Sequence, residues 1–195
     1  PERLLTKPCL VERLSDPKGL PQAVVELSLN KKPQRGILTA FAKGQLAWNA
    51  WEMGHAMHRR RLPVPRPLLV VESVNGRGDY LVKEDVPGAV SLDRYLSEQH
   101  RKLPLSEWNR KLASLLPQLA VELRKFHELG FYQHPLRLDS VLILVSKEET
   151  RFWFAGLESF HQVPTVDRGL VANSFSDLLA DIPANWQISS SVYLR

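Results

Sequence analysis

The chain reads as an α+β protein of two lobes, the first rich in strands and the second rich in helices. Three observations lead there. Short apolar runs with strand-like alternation flank one amphipathic helix in the first third. A turn-rich stretch, Asp85-Val86-Pro87-Gly88-Ala89-Val90, breaks the apolar pattern near the middle. Beyond it, leucines and aromatics recur at helical spacing over more than twenty residues. The 195 residues are 44% hydrophobic and 24% charged, an ordinary globular balance with enough apolar material for one domain or two small lobes.

The elements follow in order. Residues 10 to 14 alternate weakly and read as a strand, closed by the turn signal Asp16-Pro17-Lys18-Gly19. Residues 23 to 29 are a strand with Val25, Leu27 and Leu29 on one face; 30 to 36 is a polar connection. Residues 45 to 60 form a helix, with Leu46, Ala50, Met53 and Met57 on one side and Trp48, Trp51 and His55 widening the stripe. Pro63, Pro65 and Pro67 end it. Strands at 68 to 74 and 79 to 84 are joined by a hairpin turn at Asn75-Gly76-Arg77-Gly78.

Beyond residue 90, Ser91 caps a short helix reaching about Gln99, with Leu92, Tyr95 and Leu96 inward. A longer helix runs from about Ser106 to Leu129. Trp108, Leu112, Leu115, Leu119, Leu123 and Phe126 line one face, Pro117 is expected to kink or divide it, and Gly130 stops it. Residues 141 to 145 and 151 to 155 form a second hairpin, and 173 to 180 a final helix. The domain reading is therefore an N-lobe at 1–84, a hinge at 85–90 and a reduced C-lobe at 91–195.

Composition narrows the function classes. The single cysteine, Cys9, forms no internal disulfide, which favours a reducing, cytoplasmic setting. There is no apolar run long enough to span a bilayer, and the N-terminus has no signal-peptide core. The chain begins at Pro1 rather than Met, which fits removal of a preceding segment. A net charge of +5 favours anionic partners. The densest cluster is His58-Arg59-Arg60-Arg61, followed by Arg66. It reads first as cations opposing a helix dipole, and second as a surface for anions or the inner membrane. Aromatic residues are not interleaved with a basic stripe, so nucleic acid is not an expected partner. His55 and His58 lack a third metal ligand nearby, and no G-x-S-x-G elbow supports serine catalysis.

Three stretches carry a family resemblance. Residues 47 to 67, from Ala47-Trp48-Asn49 through Leu62-Pro63-Val64-Pro65-Arg66-Pro67, look like the helix C and following turn of the lipopolysaccharide core kinases, the heptose and Kdo kinase family. Glu84-Asp85-Val86-Pro87-Gly88-Ala89-Val90-Ser91-Leu92 resembles their hinge. Leu123-Arg124-Lys125-Phe126-His127-Glu128-Leu129-Gly130-Phe131-Tyr132 resembles the helix entering their catalytic loop. The resemblance as a whole covers roughly residues 20 to 180. The resemblance implies a bilobal protein-kinase-like fold, ATP held at the hinge by Glu84, Asp85 and Val86, magnesium, and a lipopolysaccharide core sugar as substrate.

At the positions that should perform the chemistry, the sequence departs from the family. A kinase catalytic loop reads H-R-D-L-x-x-x-N; here the stretch is Gln133-His134-Pro135-Leu136-Arg137-Leu138-Asp139-Ser140. Pro135 stands at the base position and accepts no proton. Ser140 stands at the metal-binding Asn position. Gly156 stands where a metal-binding Asp is expected, with Ala155 as the one-residue alternative. Glu26 stands where the phosphate-pairing lysine belongs, and Lys31, Lys32 or Lys43 compensates only from another backbone position. The expectation is a pseudokinase, a fold retained without phosphoryl transfer, with a binding or regulatory role in envelope biogenesis. Its partners would be an envelope-biogenesis protein or an anionic lipopolysaccharide precursor, with Arg59, Arg60 and Arg61 touching the inner membrane. If activity survives, His134, Asp139 and Glu158 are the residues to test. Glu52, on the first helix, reads as a surface residue, and the five tryptophans read as core or interface.

Overall fold

The computed structural model describes residues 9–14, 23–29, 45–72, 78–146, 149–183 and 186. The expected turns at 16–19 and 30–36, Lys31, Lys32 and Lys43, and the tip of the hairpin at 73–77 lie outside the described residues. The chain divides into two compact units, Pro1–Pro87 and Gly88–Arg195.

The first unit is an antiparallel sheet with one helix on it. Its strands are β1 (Cys9–Leu14), β2 (Ala23–Leu29), β3 (Pro67–Glu72) and β4 (Gly78–Glu84), in the order β1-β2-β4-β3. Register places Glu26 between Val11 of β1 and Leu81 of β4, and Val24 opposite Lys83. Helix α1 (Gln45–Arg59) packs against β3 and β4. Its buried residues are Ala47, Ala50, Gly54 and Met57, spaced three and four apart. Small residues at three of these four places let the helix backbone approach the sheet.

That stripe corrects the expected one. Met53 and Trp51 are half-buried, and Trp48 is 43% exposed. Each residue turns the helix by about 100°, which carries Trp48 away from the Ala47 face. The Trp51 ring meets His55 edge-on at 4.3 Å. Glu52 is exposed, as expected.

The end of α1 is closed by its own backbone. Arg60 N–H donates to Met57 C=O, Arg61 N–H to His58 C=O and Leu62 N–H to Met57 C=O. Arg61 takes the left-handed conformation with φ 60°, and the prolines beyond it prevent further helix. The Arg60 guanidinium donates to Ala56 C=O at 2.9 Å, so part of the basic cluster neutralises the helix terminus. Burial lowers the pKa of His55, and Arg59, His58 and Arg66 lower it further.

The second unit starts with a two-residue strand, β5 (Val90–Ser91), then α2 (Leu92–Lys102) and α3 (Leu105–Glu128). The Ser91 side chain accepts from Arg94 N–H, the expected cap. Helix α3 is not divided at Pro117. Pro117 lies on the exposed side, where water can serve the carbonyl it leaves unbonded. Leu112, Leu115, Leu119 and Leu123 are buried before and after it and hold both halves to one core.

Gly130 then turns the chain with φ 79°. A Cβ there would collide with Val163 C=O, which no side chain can relieve. The chain continues into β6 (Phe131–Gln133), the hairpin β7 (Val141–Val145) and β8 (Thr150–Phe154), β9 (Phe160–Gln162) and α4 (Arg168–Ala180). Strand β7 lies between β5 and β8, and β6 pairs antiparallel with β9. The pairings of β5 and β6 are additions to the expected strand set, and α4 starts earlier than 173 because Asp167 caps it by accepting Leu170 N–H.

The core of this unit is aromatic. Phe126, Phe131 and Phe154 are fully buried, and Phe126 meets Phe154 at 4.7 Å and Phe160 at 5.3 Å. Trp186 is buried too. It packs edge-on against Trp108 at 5.5 Å and stacks with His100 at 5.6 Å. Trp108 Nε1–H donates to the backbone carbonyl of Trp186. Trp108 and Trp186 are thus core, as read from the sequence, while Trp48 is not.

Candidate functional site

The loop between β6 and β7 carries most of the expected site residues. Phe131 and Gln133 face inward on β6, and Leu136 and Leu138 are buried beyond it. Those apolar side chains pin the loop, while the polar side chains between them are left to organise its surface.

At its centre is Gln133, 1% exposed. Its side-chain amide N–H donates to Ser159 Oγ at 2.8 Å, Ser140 Oγ at 3.0 Å and Gly156 C=O at 3.3 Å. Ser140 Oγ donates in turn to Arg137 C=O, and Ser159 Oγ to Gly156 C=O, each at 2.8 Å. Both hydroxyls give their proton to the backbone and accept from Gln133, so the donor directions agree throughout. Ala155 N–H donates to Ser140 C=O at 2.7 Å. Three segments, at 133, 140 and 156–159, are tied together by groups that carry no charge.

Gly156 closes this cluster. A Cβ at 156 would stand 2.7 Å from Gln133 Nε2 and 2.9 Å from Ser140 Cβ. Ser140 and Gly156, read apart in the sequence, are therefore neighbours. The position read as a vacated carboxylate has its space filled by the amide of Gln133 and the side chain of Ser140.

The outer side of the loop is held by charges on α4. Asp177 Oδ2 lies 2.7 Å from His134 Nδ1 and accepts Leu136 N–H at 3.3 Å. Asp181 Oδ2 accepts Leu138 N–H at 2.9 Å. Ser174 Oγ lies 3.2 Å from Gln133 C=O and 3.1 Å from Leu170 C=O. Residues 174, 177 and 181 share one helix face. Helix α4 thus reads the loop backbone at three successive points. Arg137 bonds Asp139 with both ends of its guanidinium at 3.2 and 3.4 Å and reaches Asp181 at 3.7 Å. That hydrogen bond to Asp139, with Asp139, Asp181 and Asp93 as nearby charges, raises its pKa.

The residues kept for surviving chemistry separate. His134 pairs with Asp177, Asp139 pairs with Arg137, and Glu158 is exposed on the short turn before β9. Asp177, Asp181 and Gln133 were not singled out in the sequence. Two aspartates four apart on a helix with Ser174 were the available signal for α4. Gln133 had none, because glutamine is usually a surface residue.

A metal ion does not fit this cluster. Ser140 Oγ is committed as donor and acceptor, Gly156 offers no ligand and no space, and Pro135 has no acidic side chain. No group of three or more His, Cys, Asp or Glu side chains suited to a metal occurs among the described residues. In the first unit, Lys83 and Asp85 are buried at the end of β4, and Glu84 N–H donates to Arg66 C=O at 2.8 Å. No helix among the described residues is long and apolar enough to cross a membrane.

Neither a family model nor a curated protein matches the sequence. Solved structures do match. The structure of WaaP in complex with acyl carrier protein aligns with 97% of this chain and 73% of its own, at TM-score 0.66 and 12% identity. WbdD, solved with the kinase inhibitor LY294002, aligns with 84% of this chain and 35% of its own, at TM-score 0.51 and 19% identity. The chain has a protein-kinase-like fold. Its similarity to WaaP, which spans 97% of this chain, is a likeness of fold.

Proposed function

We propose that the protein is a pseudokinase, a kinase-fold binding or regulatory module that has lost phosphoryl transfer and serves lipopolysaccharide or envelope biogenesis. One observation carries the reading: the neutral cluster of Gln133, Ser140, Gly156 and Ser159 stands where the family resemblance puts the two metal ligands. Phosphoryl transfer works by positioning the γ-phosphate and neutralising its charge. A glycine, a committed hydroxyl, a proline and Glu26 at the lysine position supply neither. The partner is an envelope-biogenesis protein or an anionic lipopolysaccharide precursor. WaaP, solved with acyl carrier protein, shows that a similar fold engages a protein. Exposed Arg59, Arg60 and Arg61 are the surface offered to the anionic cytoplasmic face of the inner membrane. Thermal-shift and calorimetric titration with ATP, with and without magnesium, tests the reading. No magnesium-dependent stabilisation is expected, and a clear one refutes it.

One observation favours a second reading, an ATP-dependent sugar kinase with a relocated base. His134, directly before Pro135, is held by Asp177 at 2.7 Å, the arrangement that orients an imidazole for proton transfer. Transfer of labelled phosphate from ATP to core oligosaccharide, abolished by His134→Ala, would establish it in place of the first.

A further inference from the structure

Helix α1 buries one side and leaves the other to solvent. Opposite the buried stripe of Ala47, Ala50, Gly54 and Met57 stand Trp48, Glu52, His55 and Arg59. They follow one another at intervals of four, three and four residues, so they share one face, about 16 Å from end to end. Trp48, at the first end, is 43% exposed, and Arg59, at the last, is exposed too. Half-buried Trp51 borders the face, its ring edge-on to His55. The cations gather at the Arg59 end. Burial lowers the pKa of His55 most, and the charges of Arg59, His58 and Arg66 add to it. Exposed Arg66 lies beyond the turn at Arg61, so the chain brings its charge back to the same end of the helix.

An indole at one end of a helix face and arginines at the other match the layers of an anionic bilayer surface. Tryptophan partitions to the interface between headgroups and acyl chains, and guanidinium groups pair with lipid phosphates. We propose that α1 lies along an anionic lipid surface, with Trp48 seated among the headgroups and Arg59 and Arg66 on the lipid phosphates. The proposal rests on the reading of the basic cluster as a membrane surface, and adds the helix face and its aromatic anchor. The buried stripe holds the other side of α1 to its own sheet, so the contact is shallow and the helix does not sink into the acyl chains. Glu52 lies on the same face between Trp48 and Arg59 and is exposed. Its charge opposes the lipid, which keeps the attachment weak and reversible.

The test is flotation of the full chain with vesicles. Phosphatidylglycerol mixed with phosphatidylethanolamine should carry the protein at low salt, phosphatidylcholine alone should not, and added salt should release it. Arg59→Ala combined with Arg66→Ala should weaken binding about 25-fold, at about fivefold per charge. Arg101→Ala combined with Arg110→Ala removes two exposed charges from the second unit and should weaken it far less. Trp48→Ala should weaken binding several-fold and remove most of the quenching of tryptophan emission by lipids brominated in the acyl chain. Glu52→Gln should tighten binding. Circular dichroism checks that each variant is folded. A wild-type chain that ignores anionic vesicles overturns the inference, and so do equal losses in the two arginine pairs. If the Arg59 and Arg66 variant loses binding while Trp48→Ala keeps both affinity and quenching, the seated helix falls and the basic surface alone stands. Magnesium-dependent ATP binding decides the loss of phosphoryl transfer separately from all of these outcomes.

Discussion

The side-chain amide of Gln133 donates to the backbone carbonyl of Gly156, and the same nitrogen lies 2.7 Å from where a Cβ at position 156 would stand. The two residues define each other: the amide reaches the carbonyl only because the side chain opposite is a hydrogen atom. Placing a carboxylate at position 156 is therefore not a simple exchange. Gly156→Asp should destabilise the protein by about 2 kcal/mol or more, in the range of overpacking and buried-charge effects, and should not create magnesium-dependent ATP binding. Urea unfolding with and without magnesium and ATP measures both.

Gln133 itself connects three segments. Gln133→Leu keeps much of the volume but removes the donor shared by two serines, while the Gly156 carbonyl keeps its bonds from Ser159. Each buried polar group left without its partner costs about 1–3 kcal/mol, so the urea midpoint should fall clearly. Ser159→Ala, which removes one acceptor and one donor from the cluster, should cost less.

Asp177 makes two bonds to the loop, one to His134 and one to Leu136 N–H. Asp177→Asn should weaken the first and largely keep the second. Asp177→Ala loses both and leaves a backbone donor without its partner. Amide hydrogen exchange should show faster exchange at Leu136 in the alanine variant, with little change on α3. Asp181→Ala should do the same at Leu138.

Acid should destabilise the protein through His127. Its imidazole is about half-buried on α3, Nε2 has no hydrogen-bond partner among the described residues, and burial lowers its pKa from 6.5. A histidine with a depressed folded pKa binds its proton more readily when unfolded. Stability is therefore retained above about pH 6.5 and declines as pH falls from there toward the folded-state pKa. Thermal melting from pH 7.5 to 5 should show that decline, and His127→Gln should flatten it. His55 has the same sign and leaves a residual slope in that variant.

Periodicity made the long elements legible. The leucine spacing of α3 and the apolar pair β7 and β8 follow directly from which side chains must leave water. Pro117 does not divide α3, because a proline divides a helix only if its neighbours cannot hold it, and buried leucines on both sides do. Strands β5 and β6, of two and three residues, carry no period to read; their pairings are set by distant partners at 142–143 and 160–162. At the site, Pro135, Ser140 and Gly156 were singled out in the sequence, but what surrounds them was not. A buried glutamine and two aspartates on a later helix are defined by what they touch, and that depends on folding. Lys83 could have been read, since it alternates with buried Leu81 on β4.

The loop between β6 and β7 has two kinds of fastening. On the α4 side it is gripped by the carboxylates of Asp177 and Asp181, the second facing the Arg137 guanidinium, and concentrated salt screens such charges. On the side of Gln133 the bonds join an uncharged amide to hydroxyls and a carbonyl, and ionic strength has little hold on them. Brine should loosen the rim of this loop long before it reaches the hub, so the segment can give way at its surface while its anchor stays in place.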